Sequence, residues 1–206
     1  MIVLSVGEAI DRATSLANRG RALLGIAGLP GAGKSTLSAA ITAGVASSVV
    51  VPMDGFHMLN EDLVRLGRRD RKGAPDTFDV DGYVNLLLRV RSQNARQRVT
   101  APRYDRAASA PVPDAIAVEP DTALVITEGN YLLVDTAPWS TVRPLLDEVW
   151  FVDIDDDVRV PRLVARHIEF GKSPDGAREW VMRSDEANAA VVSATRGRAD
   201  VVVRLP

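Results

Sequence analysis

A chain of 206 residues, 46% hydrophobic and 25% charged, has the make-up of a globular α/β domain with a sizeable core. It contains no cysteine, which excludes disulfides, zinc–thiolate sites and thiol chemistry. The net charge of -2 gives no electrostatic footprint for nucleic acid. No apolar run approaches the roughly 18 residues of a membrane span, and no basic-then-apolar leader opens the chain. The expectation is therefore a cytoplasmic protein without nucleic-acid or membrane partners, with homodimer formation left open.

The elements come in order along the chain. Glu8 to Asn18 reads as a helix with Ala9, Ile10, Ala13, Leu16 and Ala17 on its buried face. A first apolar strand ends at Gly28, and Gly28-Leu-Pro30-Gly31-Ala32-Gly33-Lys34-Ser35 fits G-x-x-x-x-G-K-[ST] at every fixed position. Leu37 to Val45 then reads as a helix, which gives the strand, Gly-rich loop, helix context that a P-loop requires. Val45 to Val51 is a second strand, closed by Pro52-Met53-Asp54-Gly55. Residues 60–120 read as an acceptor-site insertion. It holds a short helix near Glu61–Leu66, a helix Val84 to Gln93 capped by Asp79 or Asp81, and a loop-rich stretch over 99–122 with four prolines. Further strands lie at Ala123–Gly129, Glu148–Asp153 and Ala199–Leu205, with helices Asp156–Phe170 and Pro174–Ala194 meeting at Gly171. The sum is one α/β domain over residues 1–206: a P-loop NTPase three-layer sandwich with a mainly parallel five-stranded sheet and a helical lid near 156–175.

The loop chemistry defines the donor side. Its glycines let backbone N–H groups curl around an anion, and the adjoining helix start favours a phosphate. Gly28, Pro30, Gly31, Ala32, Gly33, Lys34, Ser35 and Thr36 are therefore expected to hold a nucleoside triphosphate. Lys34 neutralises the β/γ-phosphates, and the Ser35 hydroxyl ligates Mg²⁺. Only Lys34, Lys72 and Lys172 are lysine in an otherwise arginine-rich chain, and Lys34 is the one with an evident need for a compact point charge.

Ligands in open α/β sheets sit beyond the carboxyl ends of the strands. Asp54 and Glu128 fall at such ends. Phosphoryl transfer to an alcohol needs a carboxylate to accept the hydroxyl proton and a second group for the metal. Asp54 is the expected base and Glu128 the expected Mg²⁺ residue, whereas Asp153 reads as a cap or surface acid. Arg159, Arg162 and Arg166 share one helix face by spacing.

Gly28–Thr36, Met53-Asp-Gly-Phe-His57, Arg71-Lys-Gly-Ala-Pro-Asp-Thr-Phe-Asp79, Pro102-Arg-Tyr-Asp105 and Thr127-Glu-Gly129 occur in this order. Together they resemble the uridine kinase, pantothenate kinase and phosphoribulokinase superfamily of P-loop kinases. The resemblance implies an ATP-dependent kinase of a small-molecule hydroxyl, with Asp54 as base, Glu128 at the metal, and Arg162 and Arg166 as lid arginines over the phosphates. Phe56 and Tyr104 are candidates to stack on or wall the acceptor and His57 to hydrogen-bond it, with core and structural roles as the competing readings. Arg71 and Lys72 read either as a solvated loop or as substrate-binding residues for an acidic acceptor. Two nucleoside contacts of uridine kinases are absent: the ribose-binding aspartate position is Gly73, and the base-contacting histidine position is Ser109. Uridine is therefore disfavoured, a pantothenate-like, sugar or other nucleoside acceptor stays open, and the short branch of nucleotide-kinase-like and sugar-transport-associated kinases matches best in length and motifs. A GTPase-type switch is less consistent, because Asp79-Val-Asp-Gly82 is preceded by no strand and no Asn-Lys-x-Asp motif exists. A non-catalytic regulatory module is disfavoured by the retained Asp54 and Glu128.

Overall fold

A computed structural model describes residues 2–94 and 96–205. The strands in chain order are β1 (Ile2–Leu4), β2 (Ala22–Gly28), β3 (Ser48–Val50), β4 (Val99–Asp105), β5 (Ala110–Val118), β6 (Leu124–Gly129), β7 (Glu148–Asp153) and β8 (Val201–Arg204). Between them run α1 (Val6–Ala17), α2 (Lys34–Gly44), α3 (Asn60–Arg65), α4 (Val80–Arg91), α5 (Asp156–Glu169), α6 (Pro174–Trp180) and α7 (Glu186–Ser193). Six strands pair in the order β1-β8-β7-β2-β6-β3, every pair parallel. Helices cover both faces, so the central strands read as continuous apolar runs. Leu24, Ile26, Trp150 and Val203 pack with α1 and α2 on one side. Ala27, Phe151, Tyr83 and Trp139 build the core on the other.

The sheet corrects the expected count of five strands to six. The added strand is β1, whose three residues are too short to carry a period of their own. It is held by β8 in the register Ile2↔Val201. The first helix also begins earlier than its apolar stripe, because Ser5 and Glu8 form a reciprocal capping box. The second strand shrinks to Ser48–Val50, because the chain turns over 45–47 after α2, with Ser47 at φ +55°.

Residues 99–122 are a second correction. Instead of a loop-rich stretch they form an antiparallel hairpin, β4 with β5, registered from Val99↔Val118 to Asp105↔Ala110. In a two-stranded ribbon both strands are edges, so proline nitrogens can face solvent without losing a ladder bond. The expected helix 174–194 is interrupted by a π-helical turn over Val181–Asp185. No helix among the described residues is long and apolar enough to cross a membrane.

Candidate active site

β2 runs into the Gly-rich loop, and β6 beside it and β3 beyond β6 deliver the acidic residues at the same sheet end. Gly31 has φ +77°, and a Cβ there would meet Leu163 Cγ of α5 at 2.6 Å. Only glycine permits both that backbone and that approach. Arg159 makes the second link between loop and α5. Its buried guanidinium donates to Pro30 O at 3.3 Å, to Asp156 Oδ1 at 2.7 Å and to Glu186 Oε1 at 2.7 Å.

Lys34 Nζ donates to Gly28 O and Leu29 O at 2.9 Å and to Asn130 Oδ1 at 2.7 Å. Burial draws its pKa from 10.5 down to about 8, against the opposing pull of Glu128 and Asp54. Ser35 Oγ donates to Glu128 Oε1 at 2.7 Å. Burial raises the Glu128 carboxyl above its ordinary value, with Lys34 and the Ser35 hydrogen bond opposing. Asp54 lies in a 3₁₀ turn over Met53–Phe56, directly after β3. Its Oδ2 accepts from Arg106 at 3.2 Å, and its backbone oxygen meets His57 Nδ1 at 2.8 Å. The His57 ring packs against Phe78 at 4.1 Å and Tyr104 at 4.6 Å between centroids, and burial lowers its pKa.

Lys34, Ser35, Asp54, His57, Arg106, Glu128 and Asn130 open into one cleft of about 910 Å³ that runs from Pro30 and Thr36 past Asp54 and Glu128 to Trp180 and Asn188. Arg162 and Arg166 of α5 form part of its wall. Burial, then the like charge of Arg106, disfavours the charged form of Arg166. A bound anion would relieve both. A cleft with a Gly-rich loop and its lysine, two carboxylates and two arginines has the equipment of phosphoryl transfer.

A family model described as Phosphoribulokinase / Uridine kinase family matches residues 23–206. The chain belongs to the phosphoribulokinase/uridine kinase family. A provisionally named uridine kinase of Schizosaccharomyces pombe is 34% identical over 215 residues, covering 98% of this chain and 91% of that protein. An ATP-dependent kinase-like protein of Aspergillus versicolor is 37% identical, covering 66% of this chain and 84% of that one. A crystal structure from Silicibacter sp. TM1040, provisionally assigned as a fructose transport system kinase, superposes with a TM-score of 0.85 at 34% identity. It covers 96% of this chain and 98% of that one. These relationships establish the P-loop kinase fold and a phosphotransferase family.

Within this kinase-family cleft, Pro30, Gly31, Gly33, Lys34, Ser35, Thr36, Asp54, His57, Lys72, Tyr104, Glu128, Arg162 and Arg166 all contribute to the wall. Gly28 contributes through its carbonyl to Lys34, while Ala32 is buried in the core beneath the loop. Phe56 and Arg71 stand outside the cleft lining. Phe56 is buried against Tyr83 at 5.1 Å; Arg71 pairs with Asp76 at 2.7 Å on the surface. Asp153 bonds Arg196 at 3.0 Å, and Asp79 caps α4 by accepting from Gly82 N. Arg159, third member of the arginine stripe, is the buried link described above rather than a cleft residue.

Several cleft residues carried no motif. Arg106 reaches Asp54 from the turn of the β4–β5 hairpin, and Asn130 comes directly after β6. Asp185 and Asn188 arrive through the π-helical turn, and Asp185 Oδ2 meets His167 Nε2 at 2.7 Å. A π turn inserts one residue into the helical count and re-aims the side chains beyond it, a device frequent at functional sites.

Proposed function

We propose that this chain transfers the γ-phosphate of ATP to a hydroxyl group of a small molecule. The observation that carries this reading is the convergence of Lys34, Asp54, Glu128, Arg162 and Arg166 on one cleft. The acceptor oxygen attacks the γ-phosphorus, its proton passes to the Asp54 carboxylate, and the bond to the ADP oxygen breaks. Lys34, Arg162 and Arg166 hold the phosphates and meet the charge that shifts to the leaving ADP. Ser35 and Glu128 offer a facing hydroxyl and carboxylate, hard oxygen donors suited to Mg²⁺. The described residues contain no cluster of three or more metal-ligating His, Cys, Asp or Glu side chains. The metal would therefore share its coordination with phosphate oxygens and water and neutralise the transferring charge.

Uridine is a poor acceptor in this reading. Gly73 supplies no carboxylate for ribose, and Ser109 is hydrogen-bonded to Tyr104 and Lys72 instead of presenting an imidazole. The test is ADP release from ATP with Mg²⁺ across a panel of hydroxyl acceptors. An acceptor-stimulated rate that falls by ~10²-fold or more in Asp54→Asn, with nucleotide binding kept, is the expected result. Equal stimulated rates in the wild type and D54N would remove Asp54 from the chemistry.

A further inference from the structure

The acceptor end of the cleft carries more positive charge than the mechanism above consumes. Arg69, Lys72 and Arg106 line it, near Asp54, His57, Tyr104 and Ser109. Lys72 Nζ is fixed by neutral oxygens: Asn60 Oδ1 at 2.7 Å, Ser109 O at 2.8 Å and Ser109 Oγ at 3.3 Å. It also sits 5.2 Å from the Tyr104 ring centroid. These contacts aim the ammonium without cancelling its charge. The three carboxylates of the cleft wall are all engaged, Asp54 by Arg106, Asp185 by His167 and Glu128 by Ser35.

Arg106 is held at the hairpin turn, where Asp105 Oδ1 accepts from Ala107 N at 2.9 Å and Ala108 N at 3.0 Å. Its contact with Asp54 is a single 3.2 Å approach between side chains 43% and 36% exposed. A pair of that kind is weak and easily exchanged. It also stands where it should not persist during catalysis, since the same Asp54 carboxylate must take the acceptor proton. The Arg106 charge reaches further, biasing Lys34, His57, Glu128 and Arg166.

Building on the kinase reading, we propose that the acceptor carries an anionic group, a carboxylate or a phosphate ester, which binds Arg106 and Lys72 and draws Arg106 off Asp54. A guanidinium fork matches either anion in bidentate fashion, which its one-oxygen contact with Asp54 does not use. Binding of the correct acceptor then frees the base at the moment it is needed. A neutral polyol lacks the group that makes this exchange and leaves Asp54 paired.

The test is calorimetric titration of the full chain saturated with Mg²⁺ and AMP-PNP, which fills the phosphate loop. Inorganic phosphate, malonate and glycerol are the probes for a phosphate ester, a carboxylate and a neutral polyol. Phosphate or malonate is expected to bind and glycerol not, and the tighter of the two anions names the acceptor group. Arg106→Gln and Lys72→Gln are each expected to weaken that binding by about tenfold or more, the loss of a charged hydrogen bond. Arg65→Gln, on the exposed face of α3 beside Asp62, should leave it unchanged. Equal anion affinity in wild type, R106Q and K72Q overturns the proposal, and so does absence of anion binding while AMP-PNP binds normally. Failure of AMP-PNP to bind, seen before any anion is added, refutes the kinase reading itself and this inference with it.

Discussion

Raising pH should weaken ATP binding through one residue. Lys34 has a pKa near 8 in the free protein because burial removes its hydration. Phosphate oxygens restore a charged environment and return the ammonium toward 10.5, its ordinary value. The complex therefore binds more protons than the free protein between about pH 8 and pH 10, so affinity must fall as pH rises through that window. At pH 7 about one tenth of the free Lys34 is neutral, and at pH 9 about nine tenths. The dissociation constant should rise about tenfold between those two values, equivalent to ~1.4 kcal/mol. The nucleotide itself contributes little, since the second phosphate pKa lies near 6.

Calorimetry in two buffers of different ionisation enthalpy reads the effect twice, as affinity and as proton uptake. Uptake should rise from about 0.1 proton at pH 7 to about 0.9 at pH 9. Lys34→Arg, which cannot lose its proton in this range, should bind more weakly at pH 7 but with a flat profile. A wild-type affinity constant from pH 7 to pH 9, or no proton uptake at pH 9, would refute the assignment of Lys34 as a desolvated ammonium awaiting phosphate.

Three further outcomes are expected. Glu128→Gln keeps the shape facing Ser35 but removes a charge, so the Mg²⁺ concentration giving half-maximal rate should rise by about tenfold with nucleotide affinity little changed; an unaltered Mg²⁺ titration would take Glu128 off the metal. Arg159→Met removes three hydrogen bonds from a fully buried guanidinium. Glu186 and Asp156 keep access to water, so a loss of about 2 kcal/mol is expected. Differential scanning calorimetry should show this as about 4–8 °C in Tm, and an unchanged Tm would mean that the link carries no stability. Gly31→Ala forces a Cβ onto Leu163 in a left-handed backbone. It should cost about 2 kcal/mol or more in denaturant unfolding and weaken ATP binding as well; a neutral effect would show that loop and α5 are not in hard contact.

That the Gly-rich loop, Asp54 and Glu128 share one cleft was legible because the pattern behind it is local in sequence. Backbone donors, Lys34 and Ser35 fall within eight consecutive residues, and parallel strands bring Asp54 and Glu128 to the same edge by topology alone. The acceptor side is assembled from distant pieces. Arg106 comes from a hairpin whose prolines disguise its strands, and Asn188 from a helix whose π turn breaks the period that would reveal its facing. Arg159 shows the limit of spacing arguments. It shares a face with Arg162 and Arg166, yet Pro30 and Glu186 capture it because they close over its end of α5. Arg71 and Lys72 are sequence neighbours that part company for a similar reason. Asp76 lies within reach of one, and Asn60 and Ser109 within reach of the other.

Gly73 bears on how this acceptor site can change over evolutionary time. Its φ is +103°, its N–H donates to Thr77 Oγ1 at 2.9 Å, and its carbonyl accepts from Tyr131 Oη at 2.5 Å. There is room for a side chain, since the nearest atom to an added Cβ is Asn188 Nδ2 at 3.9 Å. The obstacle is the backbone: an aspartate would bear the left-handed penalty of about 1–2 kcal/mol, or relax and surrender both bonds. A ribose-binding carboxylate is therefore not one substitution away. Gaining one would require a rebuilt loop, so main-chain shape as well as side chains limits what this end of the cleft can come to hold.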